Sequence, residues 1–330
     1  MTARGDRGGT AVSGNRPLPE EQLRALRRAT RLEWTTLVVM ALTVAAVYAV
    51  AGQSQAMKAA WIEDSLSLLP PLAFLVAVRV ARMAPSPRFP FGRHRAVGIG
   101  HLVAGVALLT MGLFLIVDSG TALIEGERPP LGVMEIGGQV FWSGWAMIVV
   151  MALSCIGPVI LGRLKTAPAE VLHDKVLYAD ADMNRADWKT GVATIVGVTG
   201  IGMGLWWADS VAALVVSMSI VADGWRNVRG AIGALADARP TTFDGREPHP
   251  VLDRIEQTLS GVDWSREHSS RTRDEGHVFH VEVFLVPDEH KDVTVERLED
   301  VRRRVHDLSW KIEDVVVTVV AGLRDGPRPR

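Results

Sequence analysis

The sequence predicts an all-α transmembrane domain of six helices, followed by a small cytoplasmic α+β domain. Nearly all the long apolar runs of the 330-residue chain lie between Leu32 and Ala222, whereas the chain after Pro240 is as charged as an ordinary soluble domain. The net charge of −1 gives no sign of nucleic-acid binding, and the single cysteine, Cys155, excludes an internal disulfide framework.

Six apolar segments each approach the roughly 20 residues that a helix needs to cross a bilayer. They cover residues 32–51, 59–81, 96–124, 139–162, 178–206 and 208–225. The chain therefore divides into a largely disordered N-terminal segment (1–30), a six-span domain (31–228), a linker (229–239), an α+β domain (240–322) and a disordered tail (323–330).

Basic residues are concentrated in every second segment between the spans. Lys and Arg in short loops favour the cytoplasmic side of the membrane. The basic side includes Arg24 to Arg31 before span one, Arg79 to Arg95 after span two, Arg163 and Lys165 after span four, and Arg226 to Arg239 after span six. We therefore expect both termini to be cytoplasmic in a multi-pass protein of the inner cell membrane.

The tail alternates between helical and extended patterns. Residues 248–260 and 293–308 have a helical period, while 277–286 and 315–320 alternate as strands do. Helix, strand, helix and strand in about 80 residues predict a compact α+β domain of the ferredoxin-like class, too small to be an obvious enzyme.

Two of the predicted spans contain acidic residues, which are rare in membrane-spanning helices. An acid at the centre of a span costs about 2.5–3.5 kcal/mol, so it usually faces a cavity, a partner or an ion. Glu63 and Ser67 of span two are four residues apart, as are Met183 and Asp187 of span five, so each pair projects from one helical face. Pro70 and Pro71 are expected to open or kink span two near these residues.

Other interpretations of these residues stay open. Glu63 and Asp187 are otherwise interfacial or paired with Arg185 and Lys189, and Asp64 either caps a polar contact or serves as a ligand. We expect Asp180 and Asp182 to lie in cytoplasmic water. We expect three single polar residues in or near spans to be structural: Asp118, His101 and Asp209.

Three motifs in order resemble the cation diffusion facilitator family over about residues 30–322. Ser54-Gln55-Ala56-Met57 leads into acidic span two as in that family. The segment from Arg88 to Ala96 (RFPFGRHRA) resembles its loop before the third helix, and Ala179-Asp180-Ala181 resembles the lead into its fifth-helix ligand pair.

The resemblance implies a homodimer that exports a divalent metal ion (Mn, Fe, Co, Ni or Zn) in exchange for protons by alternating access, with no bound cofactor. It assigns ligand positions to Glu63, Ser67, Met183 and Asp187, with Asp64 and Asn184 as alternatives. It also implies a charge pair between Arg95 and Asp237 that ties the membrane part to the tail. The alternative is that Arg95 only adds to the positive charge that sets the membrane orientation. Because Ser67 and Met183 leave no imidazole in the site, manganese or ferrous iron fits better than zinc.

The tail departs from the family as well. His268 matches a histidine that often binds metal there, but Phe284 and Thr318 replace the other usual ligands. His277, His280, His290 and His306 remain, without a spacing that brings them together. The sequence thus favours a packing and dimer-contact domain over a complete metal cluster.

Two alternative functions stay open: a passive cation channel and a membrane-tethered metal sensor. An enzyme is not expected, because no nucleophile–base set or open metal site is recognisable. At about 1.5 Å per residue, Asp187 lies about 30 Å from Trp207 and Glu63 about 24 Å from Arg79. Both acids can share one ion only if span five begins beside a deep, water-filled inner cavity.

Overall fold

A computed structural model describes residues 18–81, 83, 86–127, 132–136, 139–276 and 278–323. Residues 1–17 and 324–330, for which disorder was predicted, lie outside this range, as does His277. The helices of the first part are α1 (Glu20–Val50), α2 (Gln55–Leu66), α3 (Leu69–Ala81), α4 (Ala96–Glu125), α5 (Ser143–Ser154), α6 (Ile156–Leu172), α7 (Lys175–Gly202) and α8 (Ala208–Leu235).

Five helical stretches of the described chain are long and apolar enough to cross a membrane. They are Glu20–Val50, Gln55–Val80, Gly98–Glu125, Ser143–Leu172 and Ala208–Leu235, matching predicted spans one, two, three, four and six. Large apolar side chains face outward along them, such as Leu42 (66% exposed) and Val117 (64% exposed). The segment predicted as span five forms α7, a continuous helix of 28 residues whose first half is rich in charged side chains.

Two of these stretches are broken helices. Pro70 and Pro71 lack the backbone N–H that would bond to the carbonyls of Leu66 and Ser67, so α2 ends at Leu66 and α3 begins at Leu69. This confirms the break predicted from the proline pair. The second break separates α5 from α6 at Cys155.

The boundaries differ from the predicted ones in two places. Gln139–Trp142 forms a strand (β2) antiparallel to Val133–Ile136 (β1), so the helix of span four begins only at Ser143. Helix α8 continues to Leu235, through part of the segment 229–239 that the sequence indicated as a linker.

Glycines let the helices approach closely. A Cβ at Gly105 of α4 would lie 2.8 Å from the backbone nitrogen of Val228 in α8, and one at Gly224 of α8 would lie 2.7 Å from that of Leu109. A Cβ at Gly162 of α6 would lie 2.7 Å from the carbonyl oxygen of Ala181 in α7. Helices α4 and α8 therefore approach each other to backbone contact, as do α6 and α7.

The tail contains α9 (Val251–Ser260), β3 (Ser265–Asp274), β4 (Phe279–Pro287), α10 (Val295–His306) and β5 (Ile312–Val319). The strands follow the order β3-β4-β5, with β3 antiparallel and β5 parallel to β4. Both helices pack on the sheet through fully buried side chains such as Ile255, Val283 and Val305. The α+β fold is confirmed, with one strand, β3, that the sequence analysis missed.

Candidate metal site

Helix α2 carries Glu63, and Ser67 caps its C-terminal end. Glu63 is 9% exposed and Ser67 4% exposed. The Ser67 hydroxyl donates a hydrogen bond of 3.0 Å to the backbone oxygen of Glu63, so its proton is occupied while its oxygen can still accept. Because the two prolines leave carbonyl groups at this helix end without intrahelical donors, the end of α2 is rich in oxygen atoms.

Helix α7 carries the other predicted ligands. Asp174 caps its start, because its carboxylate accepts hydrogen bonds of 3.0 Å from the backbone N–H groups of Val176 and Leu177. The helix therefore begins three residues earlier than predicted. Asp187 lies twelve residues from the start at Lys175, about 18 Å along the helix at 1.5 Å per residue. It therefore lies in the middle of α7 and not at a helix end.

Glu63 and Asp187 lie within electrostatic range of each other. The Glu63 carboxylate interacts electrostatically with those of Asp187, Asp64 and Asp223, and the Thr190 hydroxyl lies within hydrogen-bonding reach of it. The structure therefore brings together the two acids that the sequence analysis singled out on separate helices.

Three side-chain atoms of the predicted ligands have no hydrogen-bond partner. They are Oδ2 of Asp64, Nδ2 of Asn184 and Oδ2 of Asp187, all shielded from solvent. The oxygen and nitrogen of an Asn side chain are interchangeable in position, so Asn184 can equally turn its oxygen to the same place. Unpartnered buried polar atoms are costly, and a cation that binds the oxygens removes that cost.

The predicted ligands do not form a complete metal site in this conformation. Among the described residues, no group of three or more His, Cys, Asp or Glu side chains is arranged to hold a metal ion. This holds for the tail as well, where His268 instead contacts Glu256 at 2.8 Å and His290 is 90% exposed. Met183 lines the cavity described next.

A cavity of about 460 Å³ opens between α4, α7, α8 and the tail domain. Its wall includes Asp182 and Met183 of α7 and Asp223 of α8. Asp223 also interacts electrostatically with Glu63, and Ala186, next to Asp187, lies in the cavity wall. Basic side chains line the cavity as well, among them Arg226 of α8. Sequence reasoning missed Asp223, although an acid inside an apolar helix is the kind of signal that could have identified it.

Two predictions about polar residues are wrong and two are confirmed. Asp180 does not lie in water: it is 2% exposed and pairs with Lys165, which is fully buried inside α6 and not in a loop. Asp182 is 57% exposed, as expected. Asp209 is structural, because its carboxylate accepts hydrogen bonds from the start of α2, including one of 2.6 Å from the Ser54 hydroxyl.

Charged contacts join the tail to the membrane part. Arg95 pairs with Asp237, donates to the carbonyl oxygen of Leu235 at 3.1 Å, and lies 3.6 Å from the carboxylate of Glu275. Lys175, at the start of α7, contacts Asp274 at 2.7 Å. The start of the helix that carries Asp187 is therefore linked directly to the tail sheet.

Histidines and a lysine meet at the same junction. The ring of His249 stacks edge-on against those of His173 and Phe279, at centroid distances of 5.2 and 5.0 Å. Lys311 donates a hydrogen bond of 3.0 Å to the carbonyl oxygen of His173. Burial, with the nearby His173 and Lys311, lowers the pKa of His249 to about 4, so this side chain is neutral at pH 7.

Comparison with known proteins agrees with this arrangement. Residues 34–236 match the family described as the cation efflux transmembrane domain. The chain belongs to the cation efflux family. Membership in a transporter family makes it a multi-pass membrane transporter of metal cations and not an enzyme.

Several curated relatives are similar over most of their length. The manganese efflux system protein MneS of Bacillus subtilis is 23% identical over 232 residues, covering 70% of this chain and 73% of its own. The manganese efflux system protein MneP of the same organism is 20% identical over 276 residues, 81% of this chain and 86% of its own. The magnetosome protein MamB of a Magnetospira species is 23% identical over 279 residues, 84% and 89% of the two chains.

Proposed function

We propose that this cation efflux protein exports a divalent transition-metal ion, with manganese as the first choice, in exchange for protons. The observation that carries the proposal is the meeting of Glu63 on α2 and Asp187 on α7 inside the bundle, beside unpartnered oxygens. Carboxylate oxygens suit manganese or ferrous iron better than zinc. The names of two similar proteins, both manganese efflux system proteins, favour the same ion.

Glu63 and Asp187 bind the ion, and Asp64 and Asn184 complete the oxygen set. Met183 makes the first contact from the inner cavity, whose wall it forms. The Ser67 hydroxyl oxygen, whose proton is donated to the backbone of Glu63, binds the ion through its lone pairs. Arg95 and Asp237 hold the tail against the helices, so that the start of α7 keeps its position during the cycle.

Proton coupling follows from the chemistry of the ligands. Only ionised carboxylates bind a metal ion well, so cytoplasmic metal displaces protons from Glu63 and Asp187. An outward-facing conformation then exposes the site to external acid, and protonation releases the ion. Alternating access of this kind needs one site that both sides reach in turn.

The placement in the membrane completes the proposal. Helix α7 crosses the membrane as span five, because it packs against both α6 and α8 and its charged first half lines the inner cavity with Asp182 and Met183. Both termini are then cytoplasmic, in the inner cell membrane, and two copies form a homodimer. The αββαβ order of the tail is that of a ferredoxin-like βαββαβ domain without its first strand, which supports that classification.

Reconstituted vesicles provide the test. We expect a pH gradient, acidic on the side that receives the ion, to drive manganese uphill through the wild-type protein, and Asp187→Asn to abolish both this transport and metal-driven proton movement. Asp118→Asn, on α4, is the matched control and should transport normally. Metal movement that only follows its own gradient would favour a passive channel, and metal binding confined to the tail would favour a sensor.

A further inference from the structure

A second group of charges lies buried in the bundle, separate from the proposed ligands. Glu33 of α1 and Lys165 of α6 are fully buried, and Asp180 of α7 is 2% exposed. The Lys165 ammonium lies 2.9 Å from a carboxylate oxygen of Glu33 and also pairs with Asp180. Three helices thus meet at one ammonium group and two carboxyl groups.

The charges of this triad do not balance if both acids are ionised. Two carboxylates and one ammonium leave a net charge of −1 on side chains that are shielded from solvent, which is strongly unfavourable. The carboxyl groups of Glu33 and Asp180 also lie within hydrogen-bonding reach of each other. Carboxylates only accept hydrogen bonds, so two carboxyl groups can be bonded to each other only when one of them carries a proton.

Glu33 is the better carrier of that proton. Asp180 makes the closer contact with Lys165, whereas Oε1 of Glu33 has no hydrogen-bond donor and is shielded from solvent. The groups that act on Glu33 electrostatically are Asp180 and Lys165. Two further titratable groups, His101 of α4 and Asp187 of α7, interact electrostatically with Asp180.

The triad is coupled to the proposed metal site through α7. Asp180 and Asp187 are seven residues apart, which places them on one helical face about 10 Å from each other. Asp187 interacts electrostatically with both Asp180 and Lys165. A divalent ion held at Asp187 adds positive charge near the triad, and the burial of the triad leaves that charge poorly screened.

We infer that Glu33 binds a proton shared with Asp180, and that metal binding at Glu63 and Asp187 releases it as a further proton of the transport cycle. The inference rests on the proposed function. In the release step the Glu33 carboxyl O–H bond breaks, the electron pair stays on the carboxylate, and the proton leaves to water. The resulting net charge of −1 on the triad then offsets part of the charge of the bound ion.

Counting protons tests the inference. Manganese chloride is titrated into the detergent-purified full chain in weakly buffered solution, and the protons released per bound Mn²⁺ are measured with a pH indicator. Glu33→Gln, which is neutral and similar in shape, should release one proton fewer than the wild type. Glu21→Gln, an exposed site on the same helix, should release the wild-type number.

A second variant keeps the test decisive if Glu33→Gln does not fold. Asp180→Asn leaves Glu33 as the sole carboxylate beside Lys165, so Glu33 stays ionised and one proton fewer is again expected. A wild-type count from folded variants that bind Mn²⁺ would overturn the inference and leave the proposed function intact. A wild-type protein that binds Mn²⁺ without releasing any proton would overturn both.

Discussion

Replacing Asp209 by alanine should detach the start of α2 from the start of α8. Asp209 is fully buried, and its carboxylate accepts three hydrogen bonds: 2.6 Å from the Ser54 hydroxyl, 2.5 Å from the backbone N–H of Gln55 and 3.3 Å from that of Ala56. Ser54 in turn caps α2 by accepting a hydrogen bond from the backbone N–H of Met57. One side chain therefore holds the first turn of the helix that carries Glu63.

The expected loss of stability follows from these contacts. Hydrogen bonds to a charged group contribute about 1.5–3 kcal/mol each, and donors left buried without a partner add a penalty. Removing the buried charge itself recovers part of this. We therefore expect Asp209→Ala to lower the free energy of unfolding by about 3 kcal/mol.

Chemical denaturation in detergent, followed by tryptophan fluorescence, measures this loss. Asp118→Ala is the control, because Asp118 is only half-buried and caps no helix start. Glu63 lies eight residues from the start of α2, about 12 Å along the helix, so transport by Asp209→Ala should fall as well. If Asp209→Ala were as stable as Asp118→Ala, the anchoring argument would be refuted.

Three further predictions test packing, pH dependence and the junction with the tail. Gly162→Ala should impair folding or transport, since its Cβ would lie 2.7 Å from a backbone oxygen of α7, whereas Gly230→Ala, with no atom within 4 Å, should match the wild type in the same vesicle assay. The pKa of His249 is 6.5 in the unfolded chain and about 4 in the folded protein, so the unfolded chain takes up a proton first as the pH falls. The free energy of unfolding should therefore be about 3 kcal/mol higher above pH 6.5 than near pH 4. Denaturation at pH 7 and pH 5 should reveal this dependence, and His249→Gln should remove it; an unchanged dependence in the variant would contradict the assignment. Arg95 and Asp237 are about 40% exposed, so a double-mutant cycle should give a coupling of about 0.5–1 kcal/mol, and a value near zero would exclude a stabilising pair.

Periodicity and hydropathy predicted those parts of the fold in which local sequence decides the structure. The third predicted span, 96–124, matches α4 almost to the residue, and the break in span two follows from the missing N–H groups of Pro70 and Pro71. The start of span five was placed too late because Asp174 acts as a cap, and a cap at a polar helix start leaves no hydropathy signal. Strand β3 was missed because Ser265–Asp274 is an edge strand of polar residues without apolar alternation.

The candidate site was predictable only in part. Each of Glu63 and Asp187 is conspicuous in its own span, so their selection needed only the sequence and the cost of an acid in a membrane. The partners that reach across helices, such as Thr190 for Glu63 and Lys165 for Asp180, depend on how α2, α6 and α7 pack. Lys165 resembled a loop residue because α6 extends ten residues beyond the predicted span.

A structure of the protein loaded with Mn²⁺, with the ion located by its anomalous scattering, tests the shared site most directly. The predicted result is a single ion within bonding distance of a carboxylate oxygen of Glu63 and one of Asp187, and no such peak in Asp187→Asn prepared in the same way. An ion bound only in the tail, or one that touches neither carboxylate, would contradict the assignment of these two residues.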